Sequence, residues 1–172
     1  LTFRFGFDRA GRRRRPFPVI DGGNLAGLMY DLGTAAKYGR AQTGHTLEST
    51  GMSIAAGNGP ENPMDAIKGL GKVLVIPALH YMNLPNMSKG IITGSSRFCA
   101  TIAMDGVVTA PIFSTRLTDS FRNIFGDVAA VSPRRVSVNL SSTYGRRAPV
   151  AAGVPSYMVC RNVRMTDCAD SF

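Results

Sequence analysis

The 172-residue sequence contains few of the residues that form covalent cross-links or carry out catalysis, and it has no long apolar run. It has three cysteines, two histidines and no tryptophan. Three cysteines are too few for a scaffold held together by disulfides, and their odd number leaves at least one thiol unpaired. The longest apolar runs, 73–79 and 107–113, are far shorter than the roughly 20 residues of a transmembrane helix. We therefore expect no membrane span.

Residues with catalytic or metal-binding chemistry occur singly. His45 lies in a polar loop, His80 ends a predicted strand, and Cys99 alternates with apolar residues. Cys160 and Cys168 lack the CxxC spacing of a zinc half-site, and the sequence leaves open whether they pair. The acidic residues are scattered, without the carboxylate pair of a glycosidase or a cage for a hard metal. We therefore predict no enzyme activity, no catalytic residue, no metal site and no cofactor.

Basic residues, in contrast, are abundant and are concentrated at the two ends of the chain. The formal net charge is +9, from 20 Lys+Arg and 11 Asp+Glu. Residues 1–15 carry a net charge of +5, residues 16–132 are neutral, and residues 133–172 carry +4. A guanidinium group is a planar fork that matches phosphate oxygens. The predicted nucleic-acid-binding residues are Arg4, Arg9, Arg12, Arg13, Arg14, Arg15, Arg134, Arg135, Arg146 and Arg147.

The partner expected for these arginines is nucleic acid, with RNA favoured, contacted mainly through its phosphates. Aromatic residues make up 8% of the chain and do not interleave with the arginine runs, so base stacking is not expected to dominate. An acidic surface on a neighbouring protein would also satisfy the arginines. The sequence does not distinguish these two partners.

Short β-prone runs dominate the second half of the chain and predict a mainly β (α+β) fold. Asp105-Gly106 supplies the positive φ angles of a two-residue turn and predicts a hairpin. The spacing of the runs favours an antiparallel β-sandwich or a jelly-roll-like barrel. The runs, which are bounded by Gly, Pro, Asn or Ser, are 72–80, 90–93, 97–104, 107–113, 135–141 and 157–165.

One amphipathic helix is predicted over about 24–39, because apolar residues recur there with helical spacing. Asn24 is its expected N-cap, and Gly39 is expected to end it. Alternating phenylalanines before the arginines predict an extended basic arm over 1–15. A single β-rich domain is expected over 16–172, because a chain of this size buries enough surface for one core.

A neutral body with charged ends predicts a non-enzymatic structural subunit of a large assembly. The hypothesis that fits best is a viral capsid (coat) protein that forms homo-oligomers and binds its genome through the arginine-rich arm. The alternative is a ribosomal or other organellar-complex structural protein with a processed N-terminus. The third hypothesis is a small enzyme that uses His80 or Cys99. The predicted location is correspondingly a virion or an organellar ribonucleoprotein complex, and the sequence leaves it unknown.

Overall fold

The computed structural model describes residues 6–8, 10–45, 51–139 and 151–170. Residues 168–170 are described by their backbone alone. The chain divides into two compact units: unit 1 comprises 1–55 and 136–154, and unit 2 comprises 56–135 and 155–172. The described helices are α1 (Leu32–Tyr38), α2 (Pro63–Ala66) and α3 (Phe121–Ile124). The described strands are β1 (Ile20–Asp21), β2 (Asn24–Leu25), β3 (Met52–Ser53), β4 (Lys72–Val75), β5 (Ala78–Asn86), β6 (Ile91–Arg97), β7 (Ala100–Met104), β8 (Val107–Ser120), β9 (Val128–Val131), β10 (Arg135–Asn139), β11 (Ala151–Pro155), β12 (Met158–Cys160) and β13 (Met165–Asp170).

The described residues form several mostly antiparallel sheets and no closed barrel. The prediction of a mainly β fold is therefore confirmed, whereas the sandwich or jelly-roll arrangement and the boundary between arm and domain stay predictions. None of the described helices has the length and apolar character needed to cross a bilayer.

Unit 2 is built on a six-stranded sheet in the order β4-β7-β8-β6-β5, with β13 also paired to β8. The strands β6 and β7 follow one another along the same side of β8, because they pair with successive parts of it. The break between them falls at Phe98 and Cys99, whose φ angles are 61° and 57°. In the same way, β4 and β5 follow one another along β7 and β6.

The predicted hairpin is confirmed at Asp105-Gly106. The two residues have φ angles of 47° and 86°, and Met104 pairs with Val107 on either side of the turn. The second arm extends to Ser120, well beyond the predicted run. A register shift leaves Thr109 between two paired residues, and its hydroxyl donates to the Ile102 carbonyl at 3.2 Å. This bulge accommodates an extra residue near Pro111 without ending the strand.

The core of unit 2 lies on one face of this sheet. Ile92, Leu117 and Ile124 are each 7% exposed and pack together, and the partly buried Leu79 and Val163 contact them. β9 and β12 form a separate antiparallel pair. The Cys160 side chain at the end of β12 also packs on the core cluster.

Unit 1 contains the β1-β2 hairpin, the sheet β10-β11-β3 and helix α1. The predicted helix over 24–39 is wrong in its first half. Gly22 and Gly23 adopt φ angles of 54° and 81° and turn β1 into β2, so Asn24 lies in a strand. The helix is capped instead by Asp31, whose carboxylate accepts the Thr34 N–H at 2.8 Å while its own N–H donates to the Thr34 hydroxyl oxygen at 3.0 Å. This reciprocal capping box starts the helix later.

The described part of the N-terminal arm folds back on itself and is not extended as predicted. Phe7 and Arg13 form an antiparallel bridge, and the Arg14 N–H donates to the Gly6 carbonyl at 2.8 Å. The carboxylate of Asp8 is buried and accepts the N–H of Ala10 at 2.9 Å and that of Arg12 at 2.8 Å. A single buried aspartate thus fixes the turn by accepting backbone donors.

Candidate functional site

A cavity of about 540 Å³ opens in unit 2, and we call it the groove. It is lined by consecutive residues of β4 and of β12 with the loop that follows. Successive side chains of a strand point to opposite faces, so a cavity lined by the consecutive residues 72–74 of β4 and 158–160 of β12 runs along the edges of these strands. The lining residues are Leu70, Lys72, Val73, Leu74, Ile76, Leu117, Ile124, Met158, Val159, Cys160, Arg161, Asn162, Val163 and Met165.

Both strand edges at the groove lack a neighbouring strand within the described residues. Among the described strands, β4 is the last of its sheet and pairs with β7 alone, and β12 pairs with β9 alone. A strand edge without a neighbouring strand presents backbone N–H and C=O groups that can form hydrogen bonds with another chain. The groove therefore offers backbone hydrogen-bonding groups above an apolar floor that includes Leu117 and Ile124.

The loop after β12 is held in place by Asp127. Its carboxylate accepts the Asn162 amide at 3.2 Å and pairs with the Arg161 guanidinium at 3.3 Å. The Arg161 N–H also donates to the Asp127 carbonyl at 2.9 Å. Asn162 itself has a φ of 56°, and its carbonyl accepts the Asn123 amide at 3.0 Å. These bonds fix one wall of the groove.

Asp119 anchors the far end of the same loop. Its carboxylate accepts the N–H of Arg164 at 2.8 Å, the amide of Asn123 at 2.6 Å and the N–H of Ser120 at 2.7 Å. Partial burial opposes its ionisation, but these hydrogen bonds together outweigh burial and lower the pKa of Asp119. The charged form is therefore the one that holds the loop.

The opposite wall carries Lys72, at the start of β4, where it is exposed. The described ion pairs do not include it. The nearest acid in the strand register is Asp105, which follows the Met104 that pairs with Lys72. The Asp105 carboxylate accepts the Gly71 N–H at 3.0 Å and does not line the groove.

Cys160 supplies a free, half-buried thiol inside the groove. Burial, reinforced by the negative charge of Asp127, raises the pKa of this thiol. A raised pKa keeps the thiol protonated and weakly nucleophilic near neutral pH. Cys99 is a second free thiol, exposed at the break between β6 and β7.

The two histidines lie outside the groove. His45 of unit 1 meets the Phe17 ring edge-on at 4.9 Å, and its Nδ1 is buried without a hydrogen-bond partner. Burial lowers the pKa of His45, and Arg14 lowers it further, against the opposing effects of Thr43 and Asp8. His80 is exposed and packs against the neighbouring Tyr81 ring at 4.2 Å. Nowhere in the part of the chain that the structure describes do three His, Cys, Asp or Glu side chains meet as metal ligands.

The predicted nucleic-acid-binding arginines are divided between the units. In unit 1, Arg14 is half-buried and donates from Nε to the Gly44 carbonyl at 2.6 Å, while its neighbours Arg12, Arg13 and Arg15 are exposed. Arg134 and Arg135, also exposed, belong to unit 2. Arg4, Arg9, Arg146 and Arg147 lie outside the described residues. Binding of nucleic acid by these arginines stays a prediction, and neither the fold nor the geometry supports nucleic acid or a second copy as the partner.

The groove was not predictable from the sequence, because no residue type marks a strand edge that lacks a neighbour. The available signal was the nearly continuous apolar composition of 73–76 and 157–160, which is typical of strands covered on both faces. These two runs lie more than 80 positions apart in the sequence, so their proximity depends on the tertiary fold.

Comparisons with known proteins identify the fold. The family model of the PmbA/TldA metallopeptidase C-terminal domain matches residues 2–167. The structure of TldE from Thermococcus kodakarensis aligns with a TM-score of 0.69 and 18% identity, over 94% of this chain and 36% of that one. A Thermotoga maritima protein described as "a putative modulator of a DNA gyrase" aligns with a TM-score of 0.68 and 14% identity, over 94% of this chain and 35% of that one. No curated protein matches significantly.

The present chain therefore spans about a third of the length of these solved structures. The family match contradicts the predicted viral capsid protein and its virion location, and it equally contradicts the ribosomal or organellar alternative. The prediction of a non-enzymatic chain is also wrong, because the matched family is a peptidase family. Clustered arginines are compatible with a genome-binding arm, but charge patterning does not determine fold or function. The chain belongs to the PmbA/TldA metallopeptidase C-terminal domain family.

Proposed function

We propose that this chain is the C-terminal domain of a longer peptidase and that its groove binds an extended segment of the polypeptide substrate. The observation that carries the proposal is that β4 and β12, whose outer edges have no neighbouring strand in the described part of the chain, line one cavity. An extended peptide can add to a sheet edge as a further strand, where backbone hydrogen bonds supply affinity and side-chain pockets supply selectivity.

The dimensions of the groove suit such a strand. The four residues of β4 span about 13 Å at roughly 3.3 Å per residue, which matches a peptide of about four residues. Alternate side chains of that peptide would face the apolar floor at Leu117 and Met165. Peptidases need their substrates extended, because a folded chain does not expose its backbone to the catalytic groups. A site that selects extended backbone therefore fits a substrate-binding role.

The family description implies a metal ion, and the described donors of this chain do not fit one. No three potential ligands meet among the described residues. His45 has an unpartnered Nδ1, but Arg14 lies close enough to lower its pKa, and a positive charge there opposes a bound cation. No step of peptide hydrolysis is therefore assigned to these residues, and the proposed contribution of the domain is to hold the substrate.

The two described thiols allow a direct test with an internal control. The full chain is alkylated with iodoacetamide at mildly alkaline pH, with and without a short peptide of alternating valine and threonine. Trypsin then releases Cys160 and Cys99 on separate fragments, 148–161 and 98–116, for mass spectrometry. We expect the peptide to slow alkylation of Cys160 several-fold and to leave Cys99 unchanged.

The matched control is a peptide with the same side chains and N-methylated backbone amides. It lacks the donors that strand pairing requires, so it should not protect Cys160. Equal protection by both peptides would contradict strand addition. Absence of protection by either peptide at millimolar concentration would contradict peptide binding in the groove altogether.

A further inference from the structure

We propose that the groove selects substrate segments that carry a carboxylate and that Lys72 is the specificity-determining residue. This inference rests on the proposed function and deepens it by naming the class of peptide. The basis is the charge of the lining, which among the described residues contains two cations, Lys72 and Arg161, and no acid. A groove with cationic walls and an apolar floor complements an extended segment that combines apolar side chains with an acid.

The two cations are not equivalent. Arg161 is already engaged by the carboxylate of Asp127 at 3.3 Å, so an incoming acid would have to compete with that pair. Lys72 is exposed, and none of the described ion pairs includes it. Asp105 lies near Lys72 in the sheet register, but its carboxylate accepts the Gly71 N–H and is outside the groove lining. Lys72 is therefore the cation that a peptide acid would meet.

Strand addition also determines where that acid lies. A peptide paired with the free edge of β4 places one residue directly opposite Lys72, with Cβ atoms about 5 Å apart. Opposite charges at such cross-strand positions stabilise pairing, and like charges weaken it. A glutamate opposite Lys72 is thus favoured over glutamine, and glutamine is favoured over lysine. The remaining peptide side chains contact the apolar floor irrespective of this charge.

The test measures binding of three fluorescent peptides to the full chain by anisotropy at low salt. The peptides share an alternating valine–threonine core and differ only in one terminal residue, which is Glu, Gln or Lys. We expect the Glu peptide to bind about fivefold more tightly than the Lys peptide, with the Gln peptide between them. This preference should shrink as the salt concentration rises.

Two charge reversals separate a local effect from the net charge of the chain. Lys72→Glu should invert the order of the three peptides. Lys89→Glu changes the net charge equally at the exposed turn between β5 and β6, so it should preserve the order. Lys72→Gln is a milder variant that should abolish the preference while the circular dichroism spectrum stays unchanged.

The outcomes also separate this inference from the proposed function. If all three peptides bind equally to the wild-type chain, or if Lys89→Glu changes the order as much as Lys72→Glu, the selectivity of Lys72 is overturned while peptide binding stands. If none of the peptides binds and Cys160 is not protected from alkylation, the proposed function itself is overturned.

Discussion

The two units of this chain bury different kinds of side chain. In unit 2, Ile92, Leu117 and Ile124 form a buried cluster on one face of a six-stranded sheet. Exposed large apolar side chains occur in both units, such as Leu25 at 68% in unit 1 and Phe113 at 79% in unit 2. The buried apolar residues that the structure describes in unit 1 are Ala35, Ala151 and Ala152.

This difference shows that the units depend on different interactions. Burying a Leu or Ile side chain contributes about 1.5–3 kcal/mol, and a methyl group contributes much less. Unit 2 is therefore stabilised by packing. Unit 1 relies on polar contacts, such as the capping box at Asp31 and the backbone turn around Asp8. The groove lies in unit 2, between β4 of the six-stranded sheet and β12 of the β9-β12 pair.

The largest expected effect is on the core of unit 2. Leu117→Ala should lower the free energy of unfolding by about 3 kcal/mol, because it leaves a cavity among well-packed neighbours. The matched change in unit 1 is Leu32→Ala, at a side chain that is 59% exposed, and it should cost less than about 0.5 kcal/mol. Urea titration followed by circular dichroism measures both values. Equal losses for the two variants would contradict the difference in packing between the units.

A smaller effect should appear in unit 1 as the pH falls. The folded-state pKa of His45 is lowered, so its contribution to stability is complete above the unfolded value of 6.5 and is lost as the pH falls through the folded pKa. Thr43, two residues before this histidine, forms hydrogen bonds with Tyr30 that report on the loop. Hydrogen exchange of these amides, corrected for intrinsic rates, should accelerate below about pH 6.5.

The matched variant for this pH effect is His45→Phe, which retains a ring against Phe17 and removes the titrating group. Its exchange at Tyr30 and Thr43 should be independent of pH between about 5 and 7 after the same correction. Unit 2 contains no buried, unpartnered histidine nitrogen within the described residues, so its exchange should not change in this range. An equal pH response in both units, or one that persists in His45→Phe, would exclude His45 as its cause.

The sequence predicted local structure correctly where one residue pair determines the backbone conformation. Asp105-Gly106 determines its hairpin because its two positive φ angles suit few other residues. The predicted start of the helix at Asn24 was wrong because two caps compete in that segment. Gly22-Gly23 favours a turn, and the Asp31–Thr34 pair satisfies both sides of a capping box. Helical spacing alone did not distinguish these possibilities.

The site was not predictable in the same way. β4 and β12 line the groove through their backbone edges, and edges are created by the sheet order rather than by a motif. Nothing in the sequence distinguishes Lys72, because a single lysine in a neutral stretch is ordinary. The arginine runs, in contrast, are unusual in sequence. Only tertiary structure shows that Lys72 faces an apolar cavity and that Arg14 donates to a loop carbonyl.

Pairing of a substrate peptide with β4 and β12 is tested most directly by hydrogen–deuterium exchange. The full chain is compared with and without saturating valine–threonine peptide ending in glutamate. We predict slower exchange in 72–75 and 158–160, with no change in β5, which is also an edge strand, or in unit 1. Protection confined to β5 or to the arginine-rich segments, or no protection anywhere, would contradict the account.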